Sequence, residues 1–230
     1  VVIVCASVGQ ALTTHLGNKL RVHITWSPAR AQRSVVKVTG TAQGCGKVLE
    51  GTGFVFGDRR VMTNAHVVGG VEEPTVQIGG VGRRYDAKVV LYDWHRDIAV
   101  LDVPDLQAPA LHFTDEDARS GDSAIVAGFP ENGSYDVRAA RVRGRITASG
   151  PDIYHRSTVR RDVYSLYATV RQGNSGGPLL TTDGKVYGVV FAKSLDDPET
   201  GYALTADEIR QDIAQGRSAT QEVDSDTCAL

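Results

Sequence analysis

The chain has 230 residues, of which 41% are hydrophobic, so it is long enough for one domain with a substantial core and a short extension. Its 25 basic and 27 acidic residues give a formal net charge of −2, which provides no electrostatic basis for binding nucleic acid. Three widely separated cysteines and six scattered histidines have no metal-ligand spacing, and neither a metal nor another cofactor is predicted.

The N-terminal segment, residues 1–30, is predicted to be a helical extension before the main domain. Its first eight residues are apolar, but a membrane-spanning helix needs about 20. Apolar residues then recur every four positions, which is typical of one helix face: Val8, Leu12, Leu16 and Leu20. Two interpretations remain open. The segment is either a helix leaving a membrane, in a piece of a longer chain that does not begin with Met, or a helix packed on the domain surface.

Short strand-like runs follow one another from Val35 to Ala192, and one of them is Tyr85–Tyr92. Turn signals such as Asn132-Gly133 separate these runs. Only Thr205–Gln215 has helical spacing of its apolar residues. This order predicts an all-β fold, either barrels or a sandwich, with one C-terminal helix.

Two candidate catalytic residues lie beside strand-like runs in the first half of the chain. His66 follows a run that ends at Met62, and a neutral imidazole can accept a proton near neutral pH. Asp97 directly precedes the apolar run Ile98–Val103 and is the candidate partner of that imidazole. Asp93 and Asp102 are rivals for the acid. Asp93 is predicted to lie in a loop, and the odd spacing of Asp102 from Asp97 turns it to the opposite strand face.

The third candidate is Ser175, in the six-residue turn Gly173–Pro178 with the sequence GNSGGP. Flanking glycines allow a tight turn that exposes the serine hydroxyl and points backbone N–H groups outward. A serine nucleophile needs such donors where the oxyanion forms. The alternative is an ordinary glycine-rich hairpin turn.

The order in which the three catalytic residues occur along the chain distinguishes the unrelated classes of serine hydrolase. The order here, His66, Asp97, Ser175, is that of the chymotrypsin class. With TNAHVV, DIAVL and GNSGGP around these residues, the chain resembles the trypsin/chymotrypsin clan from about residue 34 to residue 215. Within the clan it is most similar to membrane-anchored, extracytoplasmic acid-resistance proteases of mycobacteria and related actinobacteria. The resemblance implies two six-stranded antiparallel barrels within residues 31–230, at about 31–119 and 120–205, with the active site in the cleft between them.

The resemblance also assigns roles to residues around the serine. The N–H groups of Gly173 and Ser175 would form the oxyanion hole. The family's primary substrate pocket corresponds to Thr169, Phe191, Ala192 and Lys193, which predicts cleavage after uncharged, small to medium side chains. Digestive relatives have an aspartate in place of Asn174 that pairs with a newly cut N-terminal amine. Asn174 cannot form that ion pair, so another means of ordering the turn is expected.

The three cysteines leave one unpaired. Cys5 lies in an apolar run and is predicted to be a buried thiol, whereas Cys45 and Cys228 lie in polar surroundings. A disulfide between Cys45 and Cys228 is predicted, and it would require an oxidising compartment. The alternative is two free surface thiols.

The predicted function is a serine endopeptidase that cleaves proteins or peptides outside the cytoplasm. The predicted membrane contact is through an N-terminal segment missing from this fragment. Alternatives are a catalytically silent pseudoprotease or peptide-binding module, a heat-shock chaperone-protease, which carries a further module after its protease domain, and an ester hydrolase. Arg141, Arg143 and Arg145 alternate along one strand, which indicates either a solvated face or a surface that docks an anionic polymer or lipid.

Overall fold

The computed structural model describes residues 2–4, 11–13, 22 and 24–228. All but two of its strands form two curled antiparallel sheets, here called the N-terminal unit and the C-terminal unit, and short helices lie between and after them. The predicted all-β fold with a C-terminal helix is therefore confirmed.

The N-terminal unit is a seven-stranded sheet. Its strands are β3 (Val35–Ala42), β4 (Lys47–Gly57), β5 (Arg60–Thr63), β6 (Thr75–Ile78), β7 (Arg84–Asp86), β8 (Lys88–Asp93) and β9 (Ile98–Asp102), in the spatial order β7-β6-β3-β4-β5-β9-β8. The prediction of six strands was wrong because the single run Tyr85–Tyr92 divides in two. Its first part pairs with β6, and its second part crosses to β9, with a turn at Ala87 where the N–H donates to the Pro74 carbonyl.

The C-terminal unit is a closed six-stranded barrel, as predicted. Its strands are β10 (Ser123–Gly128), β11 (Asp136–Pro151), β12 (Thr158–Tyr167), β13 (Pro178–Leu180), β14 (Val186–Lys193) and β15 (Thr200–Thr205). Strands β11 and β12 form a long hairpin, whose register runs from Arg141 opposite Tyr167 to Pro151 opposite Thr158.

Buried apolar residues join the two units as well as filling each of them. One cluster lies within the N-terminal unit, around Val38 and Leu101, and another lies within the C-terminal unit, around Val126 and Leu166. A third cluster contains Phe54 and Ile98 from the first unit and Leu180 and others from the second. This shared core fixes the two units against each other, so that their facing loops meet at one cleft.

The prediction of a helix in the N-terminal segment was wrong at Val2–Val4 and Ala11–Thr13. Strands β1 (Val2–Val4) and β2 (Ala11–Thr13) pair antiparallel, with Val2 opposite Thr13. Consecutive β-branched residues favour extended backbone, and here they outweigh the four-residue spacing. The other members of the predicted stripe, Val8, Leu16 and Leu20, lie outside the described residues. Within the described part of the chain, no helix has the length and apolar character needed to cross a membrane.

Short helices connect these strands. They are α1 (Pro28–Gln32), which begins with a proline at its first position, α2 (Ala65–Val68), and 3₁₀ turns at Gln43–Cys45 and Pro130–Asn132. The C-terminal helix α3 spans Arg210–Ser218 and begins five positions after the predicted start, because Thr205 still belongs to β15 and pairs with Gly188 of β14.

The tail after α3 returns to the N-terminal unit. The N–H of Val223 donates to the Val89 carbonyl, and the Ser225 carbonyl accepts from the N–H of Gly70. The tail ends at the predicted disulfide between Cys45 and Cys228, whose presence is confirmed.

Candidate active site

His66 and Asp97 form a directly bonded pair in the N-terminal unit. His66 lies on α2, one turn after β5, and its Nδ1 is 2.8 Å from Oδ2 of Asp97. The backbone N–H of His66 donates to Oδ1 of the same carboxylate at 3.0 Å. Asn64 completes the arrangement, because its side-chain amide donates to the Asp97 carbonyl at 2.7 Å. The carboxylate therefore holds both the ring and the backbone of His66.

The backbone of Asp97 is itself unusual. It has a φ of 63°, in the left-handed region that a non-glycine residue rarely adopts. Its side chain is buried and is held by the ring and the backbone N–H of His66, while Asn64 holds its backbone carbonyl. This strain lies at a residue whose side chain is aimed at an imidazole, which is where functional strain is typically found.

The two rival carboxylates are engaged elsewhere. Asp93 accepts the backbone N–H groups of His95 and Arg96 and forms an ion pair with the Arg96 side chain. Asp102 forms an ion pair with the buried Arg60. Of the three carboxylates considered from the sequence, only Asp97 contacts His66.

The Ser175 turn belongs to the C-terminal unit but is anchored on the N-terminal one. Its carbonyl accepts the N–H of Thr52 at 2.9 Å. Gly176 has a φ of 82°, and a Cβ added there would lie 2.1 Å from the Thr52 carbonyl oxygen and 2.9 Å from the backbone nitrogen of Asn64. Only glycine fits this approach. Because Asn64 is two residues before His66, the contact places the Ser175 segment beside the His66 segment.

The Ser175 hydroxyl is half-buried and makes no hydrogen bond, either to His66 or to any other group within residues 24–228. The N–H groups of Gly173 and Ser175 also have no acceptor in that range. In contrast, the N–H of Asn174 between them donates to the Arg171 carbonyl at 3.0 Å. The turn therefore presents one free hydroxyl, as nucleophilic attack requires, and two free N–H donors, as oxyanion binding requires.

The charge balance at His66 depends on two neighbours. Burial of the ring lowers the pKa of His66, but the charge of Asp97 and its hydrogen bond raise it, and the pKa ends above its usual value of 6.5. The Arg161 guanidinium lowers it again. The pair thus favours the imidazolium that forms when His66 takes a proton.

Arg161 is a member of this site that sequence reasoning missed. It lies on β12, is buried, and donates from Nε to the His95 carbonyl at 2.8 Å and from Nη1 to the Pro151 carbonyl at 3.2 Å. Its guanidinium also lies 5.9 Å from the centre of the Phe191 ring. The sequence does carry a signal, because Arg161 is two positions from the buried Val163 and so faces the same side of the strand.

The predicted pocket residues lie on two adjoining segments of the C-terminal unit. Phe191 and Ala192 are half-buried on β14, Lys193 is exposed at its end, and Thr169 is half-buried after β12. Lys193 pairs with Gly201, against which the side chain of Val170 packs. Val170 is buried in the apolar cluster of the C-terminal unit, behind this part of the predicted pocket.

Comparison with known proteins agrees with this arrangement. Residues 51–189 match the model of the trypsin-like peptidase domain. The chain is 47% identical over 201 residues to serine protease Rv3671c of Mycobacterium tuberculosis, which covers 87% of this chain and 50% of that protein. It is 34% identical over 173 residues to a probable periplasmic serine endoprotease, DegP-like, of Halomonas elongata, which covers 71% of this chain and 34% of that protein. The chain thus spans half or less of the length of these relatives.

Solved structures of the first relative match most of the chain. The crystal structure of the M. tuberculosis Rv3671c protease in its active form superposes with a TM-score of 0.84 at 47% identity, and 88% of each chain is covered. Its inactive form superposes with a TM-score of 0.73 at 46% identity, and 81% of this chain and 90% of that chain are covered.

Proposed function

Because the chain belongs to the trypsin-like peptidase domain family, we propose that it is a serine endopeptidase that cleaves proteins through an acyl-enzyme intermediate. The observation that carries the proposal is the bonded pair of His66 and Asp97 beside a turn with a free serine hydroxyl and two free N–H donors.

The reaction begins when Ser175 attacks the carbonyl carbon of the scissile bond. The hydroxyl proton passes to Nε2 of His66, while Nδ1–H of the same ring stays hydrogen-bonded to Asp97. The carbonyl oxygen becomes an oxyanion that accepts from the N–H groups of Gly173 and Ser175. The intermediate collapses as His66 gives its proton to the leaving amine, which leaves the acyl group on Ser175. Water then repeats the sequence with His66 as the base, and the acid product leaves.

Substrate selection follows from the walls of the pocket. Thr169 offers a hydroxyl and no charge, and the apolar Val170 packs close by against Gly201. We propose that side chains before the scissile bond are uncharged and small to medium, with Phe191, Ala192 and Lys193 as the opposite wall. Asp196 and Asp197 follow this wall in the sequence, and their charges would favour a basic substrate; the Asp197 carboxylate, however, accepts from Thr200 and pairs with Arg143. Cleavage profiling in a peptide library tests this, and a majority of cuts after Lys or Arg would contradict it.

We propose that the full-length protein works outside the cytoplasm, anchored to the membrane, in resistance to acid and related stress. A disulfide between Cys45 and Cys228 persists in an oxidising compartment, which supports this location. The DegP-like relatives are named as periplasmic, and proteins or peptides there would be the substrates, with no role for nucleic acid. Cell fractionation of the full-length protein tests the location, and recovery in the cytoplasmic fraction would exclude it.

The competing function is a pseudoprotease or peptide-binding module of the same fold. The observation in its favour is that the Ser175 hydroxyl does not hydrogen-bond to His66. A fluorophosphonate probe distinguishes the two, because it reacts only with an activated serine. We expect rapid labelling of the parent chain and none of Ser175→Ala. Absence of labelling in a folded parent would favour the binding module.

A further inference from the structure

Thr52 has no role in the proposed reaction steps, yet it hydrogen-bonds to the Ser175 turn at two places. It is fully buried on β4. Its hydroxyl donates to the Gly173 carbonyl at 2.6 Å and accepts the N–H of Phe129 at 3.0 Å. Its backbone N–H donates to the Ser175 carbonyl at 2.9 Å, and its own carbonyl accepts from the Thr63 hydroxyl at 2.7 Å. One residue of the N-terminal unit thus contacts the turn on both sides of Asn174.

These contacts control the peptide planes around the two free N–H groups. The Gly173 carbonyl held by the Thr52 hydroxyl belongs to the peptide that links Gly173 to Asn174. The preceding peptide carries the free N–H of Gly173, and its carbonyl, from Gln172, accepts the N–H of Glu131 at 2.7 Å. Glu131 is two residues after Phe129, which the same Thr52 hydroxyl holds. Removing that hydroxyl frees the Gly173 carbonyl and the Phe129 N–H, and so loosens the segment that holds Gln172. Gly173 has a φ of 91°, and as a glycine it can adopt other backbone orientations at little steric cost.

The turn has no ion pair to order it from within. Asn174 is buried, and its side-chain oxygen has no hydrogen-bond partner in residues 24–228. It also carries no charge with which to hold an ammonium group. Hydrogen bonds inside the C-terminal unit, such as that from the Gly177 N–H to the Asn174 carbonyl at 3.0 Å, order part of the turn, and the contacts of Thr52 link it directly to the unit that carries His66.

We propose that Thr52 is a positioning residue, whose hydroxyl keeps the N–H groups of Gly173 and Ser175 aimed at the oxyanion. This inference rests on the proposed protease function of the site. Loss of one oxyanion donor lowers kcat by about 10²–10³-fold in a related reaction. Misorientation of the turn should weaken the same stabilisation of the oxyanion, so Thr52→Val is expected to lower kcat by about 10²-fold. KM should change little, because the substrate groove itself is intact.

The test compares Thr52→Val, which keeps the shape and removes the hydroxyl, with Thr52→Ser, which keeps the hydroxyl. Thr205→Val is the matched control, since Thr205 is also fully buried and its hydroxyl accepts a backbone N–H, that of Glu208 at 3.1 Å. We expect kcat to fall only in Thr52→Val and to return to within about fivefold in Thr52→Ser. Inhibition by a peptide aldehyde, which forms an oxyanion, should weaken in parallel, while binding of a product peptide should not.

Hydrogen exchange provides a readout that does not depend on activity. The N–H groups of Asn174, Gly176 and Gly177 are bonded within or beside the turn, so a peptide covering residues 171–177 is expected to be protected in the parent. Its exchange should accelerate in Thr52→Val and not in Thr205→Val. Unchanged exchange in Thr52→Val would overturn the role of Thr52, whether or not the parent is active. A catalytically silent parent would instead contradict the proposed protease function.

Two other outcomes would also overturn the role of Thr52. One is a kcat for Thr52→Val within threefold of the parent, and the other is an equal loss in Thr205→Val. If Thr52→Val does not fold, Thr52→Cys replaces it, because a thiol is a weak donor and acceptor of similar size. A parent-like kcat and parent-like exchange in Thr52→Cys would then count against the hydroxyl.

Discussion

Removal of the disulfide between Cys45 and Cys228 should cost this domain a large part of its stability. The two residues are 183 positions apart, so the bond closes most of the chain into a loop. Restricting an unfolded chain by such a loop is worth roughly 5 kcal/mol in the chain-entropy model. In the folded state the tail is also held by the hydrogen bond from the Val223 N–H to the Val89 carbonyl and by that from the Gly70 N–H to the Ser225 carbonyl. Breaking the disulfide should therefore act mainly by giving the unfolded chain more conformational freedom. We expect Cys228→Ser to lower the free energy of unfolding by about 3–5 kcal/mol.

The assay is guanidinium unfolding of the oxidised protein. The variants are compared by their free energies of unfolding extrapolated to water and not by their midpoints, because an unfolded chain without the cross-link exposes more surface and has a steeper denaturant dependence. Cys45→Ser, Cys228→Ser and the double variant should agree within error, because each breaks the same bond. Cys5→Ser is the control for loss of a cysteine outside the bond. The reasoning fails if either single variant stays within about 1 kcal/mol of the parent, or if the two losses add in the double variant.

Three further substitutions test the site and its surroundings. Gly176→Ala should destabilise the fold by about 2–4 kcal/mol and abolish fluorophosphonate labelling, because its Cβ meets a backbone carbonyl of β4. Gly82→Ala is the control: Gly82 has a similar positive φ, but a Cβ added there would have no atom within 4 Å. It should therefore cost only the backbone strain of about 1–2 kcal/mol. Arg161→Gln removes the charge that lowers the pKa of His66, so the acid limb of the kcat/KM profile should move to higher pH, and Arg161→Lys should leave it in place. Burial raises the pKa of Asp212 from 3.8 to about 6, so the folded state holds a proton that the unfolded state has lost, and stability falls as the pH rises between these values. Asp212→Asn should therefore raise the free energy of unfolding at pH 8, by up to about 3 kcal/mol, and change it little at pH 4; equal gains at both pH values would show that proton linkage is not the cause.

The residues of the candidate site were predictable from sequence because each stands in a motif that constrains its own backbone. Gly176 is an example: a Cβ added there would lie 2.1 Å from the Thr52 carbonyl oxygen, so this position of the motif must be glycine. Asp97 is similar, because its place directly before β9 brings its carboxylate to His66. Local sequence and tertiary geometry agree at both positions.

The errors came from places where one local pattern competed with another. The spacing that includes Leu12 has helical periodicity, yet the β-branched residues at the start of the chain pair as strand β1 with strand β2. Apolar residues across Tyr85–Tyr92 read as one strand, yet the chain turns at Ala87 to pair with two different neighbours. In each case pairing partners decided the outcome, and a single sequence does not identify partners.

Thr52 and Arg161 were missed for a different reason. Their contacts join positions far apart in the chain: the Thr52 hydroxyl reaches Gly173 across 121 positions, and the Arg161 side chain reaches His95 across 66. No spacing rule encodes such pairs, although the strand spacing of Arg161 from Val163 does indicate that it faces the buried side of β12. Only the packing of the two units against each other brings them to the site.

These two long-range contacts have a reciprocal arrangement. Thr52, in the N-terminal unit, holds the turn of Ser175 in the C-terminal unit. Arg161, in the C-terminal unit, donates to the carbonyl of His95, two residues before Asp97 in the N-terminal unit. Each unit therefore positions the other unit's part of the site. A substitution that loosened the shared core between the units would disturb both contacts at once, so catalysis should be lost before either unit unfolds.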